Sequence, residues 1–580
     1  MKKFNIHFFI LLFIAVMISL SDILIYIFKL KFILTNIVVG IVLFLITILL
    51  KKKEYISFET NFSNTDIIFI SFLGIYIVFS IVFPDLLWDT RSYHIYLQEN
   101  VFVDKINSDF FAARNLNSFL FALGDRINFF FRSILGYRLG TIMSYYLMLI
   151  LYYQVKRILT MLLPNEKEKK ISKLSIIPVI MSVIFAYAGS YYIDNFGLVF
   201  LVEIFYIVLF EKEVLKQRIK LYVLGLLIGL AIAIKVTNVI FLIPLAIYFF
   251  IKNIKDIRNI KIYDYLMVIT FVFIPFGVYA IYNYIATKNP VFPYYNNVFK
   301  SEVFMLKSWK DENFGARNIL QFILWPIYIV FNPKRAFDTK FVDLNWAISY
   351  IAIISYIIYC IRKKKIQNNE LFCLCIITLI NIYLWQILLI GYVRYASVLL
   401  VLGTIIYICI LNNIKNNKNI LYKFLLSILV LCSLPSLVYD FGVVIKDTKS
   451  LSGFVNEYII NCKMLLKDKK TEKLKIEGVF GAIGDDSLLP TLLSNGNNIY
   501  NLEEWVTITN EKTRDMYNEK ILDKEIVLPV DEKTIERKKD YLRRNNFEIL
   551  EQTKMEGSYS FLSPTDELYL LKVIKKENNK

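Results

Sequence analysis

Histidine and cysteine are both scarce in this chain. Only two histidines, His7 and His94, occur in 580 residues, which excludes a histidine-rich metal centre. Six cysteines are present, and five of them fall in or beside apolar stretches, so we expect no disulfide framework. Cys373 and Cys375 lack the spacing and the histidines of a zinc site. We therefore expect no metal and no cofactor; a divalent cation held by carboxylates is an open alternative that the sequence does not indicate.

Several motifs of soluble enzymes are also missing. There is no Walker loop, nucleophile elbow, HExxH or GxGxxG in a supporting context, and no internal repeat. The net charge of +18 would suit a nucleic-acid partner, but the basic residues lie between apolar stretches and form no continuous patch. Because that arrangement is typical of the positive-inside rule, we expect membrane lipids as partners and no nucleic acid.

Apolar residues are what the chain has in excess. They make up 57% of the sequence and the mean hydropathy is +0.51, whereas a soluble domain is about 45–50% apolar. Stretches such as 6–28 and 67–83 approach the roughly 20 residues that cross a bilayer. No small-residue cleavage site precedes Asp22, so we interpret the first stretch as an anchor and not a signal peptide. The sequence thus predicts a polytopic membrane protein.

About thirteen transmembrane helices are expected in an all-α membrane domain. They are predicted at 6–28, 32–50, 66–83, 138–158, 173–190, 193–210, 219–234, 237–251, 263–284, 346–361, 371–390, 396–411 and 424–441. Every second loop is rich in Lys and Arg, which places those loops and the N-terminus in the cytoplasm. The C-terminus is then outside, provided that residues 318–331 do not cross; Trp325-Pro326 indicates an interfacial or re-entrant helix there.

The composition divides the chain into two domains. Residues 1–444 form the membrane domain, with outer loops at 84–137 and 285–345, and residues 445–580 form a small soluble extracytoplasmic α/β domain. In that second domain we predict strands at 476–483, 498–502, 525–529 and 567–574 and helices at 487–494 and 535–545. The localisation predicted is the cytoplasmic (inner) membrane.

The first outer loop carries cations against the positive-inside trend. They are Arg91, Lys105, Arg114, Arg126, Arg132 and Arg138. Such cations suit the phosphate groups of a substrate. Salt bridges to acids of the same loop explain them equally well. Those acids are Asp85, Asp104, Asp109 and Asp125.

The start of this loop is the most informative stretch for chemistry. Asp85 and Asp89 form an acidic pair, and Tyr93 and His94 follow Asp89. A carboxylate at the membrane interface can act as general base on an acceptor hydroxyl. Alternatively Asp89 or Thr90 caps a short helix, and the local residues alone favour that interpretation. A lone histidine such as His94 is also more often structural.

Three further charged residues lie at short outer turns. Asp194 either has a functional role or is a solvated residue or helix cap. Lys235 follows Gly225-x3-Gly229 and either binds substrate or extends its side chain to the membrane interface. Arg394 either clamps a phosphate or anchors a span. We expect all three, together with Asp89, to surround one outward cavity, because one substrate must reach base and clamp together.

Taken in order, these segments resemble the bacterial GT-C class of multi-spanning membrane glycosyltransferases, the polyprenyl-phosphate-sugar-dependent mannosyl- and arabinosyltransferase-like superfamily. The matching segments are Trp88-Asp89 with Tyr93-His94, Tyr192-x-Asp194, Gly225-x3-Gly229-x5-Lys235, Asn289-Pro-Val-Phe-Pro293, Arg394-Tyr395 and an α/β tail ending in Glu567-Leu-Tyr-Leu-Leu-Lys572. The resemblance covers nearly the whole chain.

The resemblance implies a glycosyltransferase of the hexosyl or pentosyl type that takes its sugar from a polyprenyl-phosphate-linked donor. The acceptor is a glycan, lipid or protein at the outer face of the membrane. Asp89 matches the catalytic acid position and Asp194 the second outer acid. Tyr93 and His94 would orient the sugar, and Lys235, Arg394 and loop arginines such as Arg91 would stabilise the departing phosphate.

Two other functions fit parts of the pattern. A polysaccharide polymerase or ligase acting on lipid-linked oligosaccharides would use the same outer arginines on a larger donor. A lipid-linked sugar flippase or other transporter should carry charges deep within its spans and repeated halves. Here the ionisable residues lie mostly at span ends, so transferase chemistry is the preferred interpretation.

Overall fold

The structure is a computed structural model of the 580-residue chain. It describes residues 2–52, 56–59, 63–82, 85, 87–99, 117–211, 214, 217–257, 260–302, 306, 313–337, 342–364, 366, 368–415, 419–432, 479–483, 499–502, 511–532, 534–555 and 568–576. Helices dominate these residues up to 432, and strands and helices alternate after 478. The two regions are described separately below.

The N-terminal region is a helical bundle in which long helices are joined by short ones. The first ten helices are α1 (Ile6–Phe28), α2 (Phe32–Lys52), α3 (Asn64–Val82), α4 (Ile95–Glu99), α5 (Leu123–Gly140), α6 (Ile142–Leu162), α7 (Glu168–Ile176), α8 (Ser182–Phe185), α9 (Asp194–Phe210) and α10 (Arg218–Ile234). The next ten are α11 (Val239–Lys252), α12 (Ile254–Ile257), α13 (Ile262–Thr287), α14 (Asn296–Phe299), α15 (Ile319–Ile323), α16 (Trp325–Phe331), α17 (Asn345–Lys363), α18 (Asn369–Leu389), α19 (Ser397–Lys415) and α20 (Asn419–Leu431). Two short parallel strands, β1 (Lys2–Asn5) and β2 (Ile56–Glu59), pair beside α1.

Six helical segments in the described part of the chain are long and apolar enough to cross a membrane. They are Ile6–Phe28, Phe32–Lys52, Ile262–Thr287, Asn345–Lys363, Asn369–Leu389 and Val393–Asn412. Helices α5 and α6, bent by 96° at their junction, would make a seventh. These segments establish a multi-pass membrane protein, and each lies where a span is predicted. The total of about thirteen spans stays a prediction.

The exposure of apolar side chains differs between helices, as expected for a protein embedded in a bilayer. Most side chains of α2 are exposed, among them Phe44 at 59% and Leu49 at 57%. In contrast, α9 and α19 are buried along most of their length. Exposed apolar side chains cost nothing against acyl chains, so α2 sits at the lipid-facing edge while α9 and α19 form the centre.

The prediction of one continuous spanning helix at 173–190 is wrong. Helix α7 ends at Ile176, and turns surround the four-residue helix α8. Pro178 explains the break, because its nitrogen carries no hydrogen to bond the carbonyl of Leu174 and continue the helix.

This broken segment nevertheless connects opposite ends of the bundle. At one end Lys156 of α6 lies 3.6 Å from Asp66, near the start of α3, and 3.0 Å from Glu168. At the other end the backbone N–H of Tyr191 donates to Asp85, just beyond α3. Non-helical backbone at membrane depth is tolerated where protein surrounds it, and Val179 and Met181 in this segment are fully buried.

The segment 318–331, which we predict to be interfacial or re-entrant, contains two short helices. Helices α15 and α16 have five and seven residues, whereas a spanning helix needs about 20. Ile319 and Phe331 expose 78% and 75% of their surface, but Trp325 at the start of α16 is fully buried. By length, neither helix crosses.

The C-terminal region is a mixed α/β structure, as predicted. Its strands are β3 (Val479–Ala482), β4 (Ile499–Asn501), β5 (Glu525–Asp531), β6 (Phe547–Met555) and β7 (Leu568–Lys575), with helices α21 (Glu511–Ile521) and α22 (Ile535–Arg544). The sheet order is β4-β3-β5-β7-β6, with β3 parallel to both neighbours and β7 antiparallel to both.

Four predicted strands and one predicted helix of this region are found. Strand β6 and helix α21 are absent from the prediction, because their charged residues mask the apolar alternation. The helix predicted at 487–494 lies outside the described residues.

Candidate active site

Asp85 organises the chain where it leaves α3. Its carboxylate accepts hydrogen bonds from the Leu87 backbone at 3.0 Å, the Thr90 hydroxyl at 2.7 Å and the Tyr191 backbone at 2.7 Å. Burial raises the pKa of this carboxyl, although those hydrogen bonds oppose the shift. The acidic pair predicted from the sequence therefore divides, with Asp85 fastening the turn after α3 to the turn before α9.

Asp89, four residues on, has a different environment. Its backbone N–H donates to the hydroxyl of Tyr192 at 3.1 Å. Its side chain makes no capping hydrogen bond to the helical turn that follows, and Thr90 donates to Asp85. The carboxylate of Asp89 instead accepts a hydrogen bond of 2.5 Å from Nη1 of Arg394. The capping alternative thus does not describe Asp89.

Four charged side chains predicted to converge do so. Besides its bond to Asp89, Arg394 has its Nε 3.9 Å from Oδ2 of Asp194. Oδ1 of Asp194 in turn accepts from Nζ of Lys235 at 2.5 Å. We call Asp89, Asp194, Lys235 and Arg394 the four-charge network. These contacts confirm that the four residues lie close together, whereas the outward cavity and the roles of the four residues remain predictions.

The network is largely removed from solvent. The exposed fraction of the side chain is 12% for Asp89, 6% for Asp194, 16% for Lys235 and 13% for Arg394. Lys235 and Arg394 are therefore paired inside the protein instead of reaching to an interface, and Asp194 is not a solvated turn residue. Two buried anions balanced by two cations can accept a substrate phosphate, provided that the pairs rearrange.

Helix ends bring the four residues together. Asp89 lies beyond the end of α3, Asp194 begins α9, Lys235 follows the end of α10, and Arg394 lies just before α19. We call this the site end of the bundle. An acid at a helix N-terminus and a cation at a helix C-terminus are both favoured by the helix dipole, which suits Asp194 and Lys235.

Tyrosine rings surround the two cations. The guanidinium of Arg394 lies 5.3 to 5.7 Å from the ring centres of Tyr192, Tyr392 and Tyr395. Nζ of Lys235 lies 4.0 Å from the centre of the Tyr395 ring. Such contacts stabilise buried cations. Tyr192 and Tyr395 belong to segments that carry the resemblance but have no predicted role, and no sequence signal points to Tyr392.

His94 forms a buried ion pair beside the network. Its Nδ1 lies 2.8 Å from Oδ1 of Asp125, and both side chains are at most 2% exposed. Burial alone would lower the pKa of His94, but the charges of Asp125, Asp89 and Asp194 outweigh it, so the pKa lies above its usual value. The ring is 5.5 Å from that of Tyr192. Asp125 is a partner that no local sequence signal indicates.

Tyr93 and Arg91 lie on the same turn. The ring of Tyr93 is buried against His94, with centres 4.3 Å apart. The guanidinium of Arg91 is 5.9 Å from the ring centre of Trp88, which is half exposed. Tyr93 and His94 thus support the network from within the protein, whereas Arg91 lies near the surface.

Among the outer-loop cations, Arg126 has a partner outside its own loop. Arg126 pairs with Asp22 of α1 at 3.0 Å, and Tyr279 of α13 also donates to Asp22. This buried trio joins three helices, and Arg126 is therefore a structural residue. Arg132 packs over Phe129 at 5.6 Å. Lys105, Arg114, Asp104 and Asp109 lie outside the described residues.

We find no candidate metal site in the described part of the chain. A site would need at least three His, Cys, Asp or Glu side chains close together, and no such group occurs there. Both carboxylates of the four-charge network are paired with cations instead. The expectation that no cofactor is required stays a prediction.

No family model and no curated protein sequence matches this chain. Solved structures do. ArnT from Cupriavidus metallidurans bound to undecaprenyl phosphate is 12% identical, over 87% of this chain and 97% of that one, with a TM-score of 0.50. The apo state of the same ArnT is also 12% identical, over the same shares of the two chains, with a TM-score of 0.49. An Archaeoglobus fulgidus oligosaccharyltransferase in complex with Zn and sulfate is 12% identical, over 85% of this chain and 73% of that one. Its TM-score is 0.43.

The similarity to ArnT extends over almost the full length of both proteins. It shows that the chain has the GT-C fold, the fold of a class of membrane glycosyltransferases, as the resemblance in the sequence implies. At 12% identity the similarity concerns the fold alone.

Proposed function

We propose that the protein is a membrane glycosyltransferase which moves a sugar from a polyprenyl-phosphate donor to an acceptor glycan, lipid or protein. The four-charge network carries the proposal, because it places a carboxylate beside two cations at one end of a bundle with the GT-C fold. The ArnT that shares this fold was solved bound to undecaprenyl phosphate, and a polyprenyl phosphate is the ligand that we propose here.

The proposed reaction is a single displacement at the anomeric carbon. The acceptor hydroxyl oxygen forms a bond to that carbon while the bond from the carbon to the phosphate oxygen breaks. The polyprenyl phosphate leaves with the electron pair, and Asp89 takes the acceptor proton. Lys235 and Arg394 neutralise the charge that develops on the leaving phosphate. One displacement inverts the anomeric configuration.

Donor binding would also release the base. In the structure Arg394 donates to Asp89 through Nη1, and its buried Nε has no hydrogen-bond partner among the described residues. A phosphate offers several acceptor oxygens and matches a guanidinium well. If the phosphate takes over Arg394, the carboxylate of Asp89 loses this hydrogen bond and becomes available for the acceptor hydroxyl.

The site end of the bundle faces outside in this proposal, because the Lys/Arg-rich loops that set the orientation lie at the other end. The enzyme would then work at the outer face of the cytoplasmic membrane. A donor that carries one sugar defines a simple transferase, and a donor that carries an oligosaccharide defines a polymerase or ligase. Product length decides between them.

Asp89→Asn tests the proposal. The substitution keeps the size of the side chain and removes its ability to accept a proton, so we expect the rate of transfer to fall by about 10² to 10⁴. Release of polyprenyl phosphate and formation of glycosylated product are measured with the variant in proteoliposomes.

Asp264→Asn is the matched control. Asp264 lies in the first turn of α13 and pairs with Arg218 at 3.2 Å, at the bundle end opposite the site. We expect near-normal activity in this variant. Near-normal activity in Asp89→Asn would remove Asp89 from the mechanism. If the wild-type protein only moved the lipid-linked sugar across the bilayer, the protein would be a transporter.

A further inference from the structure

We infer that two buried tryptophans, Trp325 and Trp385, are positioning residues for the phosphate-binding Arg394. The inference rests on the proposed function, because it assigns to these residues a role in donor binding. Neither belongs to the four-charge network. They come from different helices, α16 and α18, and meet at the short turn that carries Arg394.

The turn before Arg394 has an unusual backbone. Ile390 has φ +52° and Gly391 has φ +66°, so two consecutive residues are left-handed. A β-branched residue such as isoleucine adopts this conformation rarely. Such a conformation persists only where its surroundings fix it, and it is concentrated at functional sites.

Hydrogen bonds from outside the turn hold Gly391, Tyr392 and Val393 in place. The indole N–H of Trp325 donates to the carbonyl of Gly391 at 3.1 Å. The indole N–H of Trp385 donates to the carbonyl of Tyr392 at 2.9 Å. The backbone N–H of Val393 donates to the carbonyl of Ala336 at 2.8 Å.

Both tryptophans are fully buried. In the absence of the two indole donors, the buried carbonyl of Gly391 would lose its bond from Trp325, and that of Tyr392 would keep only the bond from the Tyr395 N–H at 3.2 Å. That loss is costly enough to favour a different turn. The turn that presents Arg394 therefore depends on both indole N–H groups.

Packing prevents the turn from moving toward α16. A Cβ atom on Gly391 would lie 2.2 Å from Nε1 of Trp325, so the backbone rests directly on the indole. With Gly391 to Val393 held, the guanidinium of Arg394 lies where it meets Asp89 at 2.5 Å and Asp194 at 3.9 Å. A small displacement of the turn would misplace both contacts.

The experiment replaces each tryptophan separately with phenylalanine, which retains an aromatic ring and removes the N–H donor. Trp346→Phe is the matched control. Trp346 stacks on Trp385 with ring centres 5.1 Å apart, is also buried, and its Nε1 has no hydrogen-bond partner among the described residues. The control removes an indole of the same size without a bond to the turn.

The donor KM and the inhibition constant of free polyprenyl phosphate are measured in proteoliposomes, together with the acceptor KM. We expect both donor constants to rise by about five- to tenfold in Trp325→Phe and Trp385→Phe, the effect of one lost hydrogen bond. The acceptor KM and all constants of Trp346→Phe should stay within twofold. Should a phenylalanine variant fail to fold, 3-benzothienylalanine at the same position preserves the indole shape without the N–H.

Two results would overturn the inference. One is an equal rise of the donor KM in Trp346→Phe, which would indicate general packing. The other is a smaller active fraction with unchanged KM in the Trp325 and Trp385 variants. Arg394→Ala separates this inference from the proposed function. An unchanged donor KM in Arg394→Ala would refute the phosphate role of Arg394, whereas a raised KM there with normal tryptophan variants would refute only the positioning role.

Discussion

Asp89 and Asp194 have different contacts with the two cations of the network. Asp194 is bonded to Lys235 and also approached by Arg394, whereas the carboxylate of Asp89 accepts a hydrogen bond from Arg394. A carboxylate stabilised by two cations is a poor proton acceptor, because its negative charge is already satisfied. The geometry therefore supports Asp89 as the base and Asp194 as the residue that positions both cations.

The His94–Asp125 ion pair should make the stability of the folded protein depend on pH. The pKa of folded His94 is raised by Asp125, against the effect of burial, above an unfolded value of about 6.5. Protonated His94 therefore stabilises the fold fully below about pH 6.5, and this contribution disappears as the pH rises through the folded pKa. The wild-type Tm advantage over a His94→Gln/Asp125→Asn double variant should be larger at pH 6.5 than at pH 9.

Thermal unfolding of the two detergent-purified proteins at both pH values measures this difference. The double variant replaces the pair by two neutral polar side chains, so neither group titrates in the window. A Tm difference that is the same at pH 6.5 and pH 9 would show that His94 is neutral in the folded protein.

Among the helices, α10 and α13 approach each other closely along their length. A Cβ atom on Gly229 would lie 2.2 Å from the carbonyl oxygen of Val272, and one on Gly225 would lie 3.1 Å from that of Val268. The two glycines, one turn apart, let the helix backbones touch, as small residues at this spacing allow. Lys235 follows the same helix six residues after Gly229, so this contact also sets the position of the cation.

Gly229→Ala should therefore destabilise the protein by about 1–3 kcal/mol, because the added methyl group meets backbone that cannot yield. We expect a lower Tm in detergent and weaker sugar transfer. Gly74→Ala in α3 is the control, since nothing lies within 4 Å of its added Cβ. Equal Tm values for the two variants would show that the α10–α13 contact is looser than described.

For the whole molecule, the distribution of Lys and Arg predicts a definite orientation. The N-terminus and Lys51 should be cytoplasmic, and the C-terminal region should be outside. We expect a membrane-impermeant maleimide to label Asp515→Cys, an exposed position of α21, in intact cells of a cysteine-free background. Lys51→Cys should react only after the membrane is permeabilised. Labelling in the reverse order would place the four-charge network on the cytoplasmic side and refute the proposed outer-face reaction.

Sequence reasoning was most successful where the physical signal is local. Long apolar stretches and charged loops identify the spans, since each helix must satisfy the bilayer by itself. It failed at 173–190, where Pro178 interrupts a stretch that hydropathy alone identifies as a helix. Asp85 and Asp89 also read as one acidic pair in the sequence, although three hydrogen bonds make Asp85 structural.

The sequence by itself determined that the chain crosses a membrane many times, and that Asp89, Asp194, Lys235 and Arg394 lie at span ends. Both follow from composition and order along the chain. Only the tertiary structure decided which charges pair, because partners such as Asp89 and Arg394 are 305 positions apart. For the same reason it alone revealed Asp125 beside His94 and the two tryptophans beneath Arg394: a buried polar group takes the partner that helix packing brings within hydrogen-bond reach, and no spacing in the sequence records that distance.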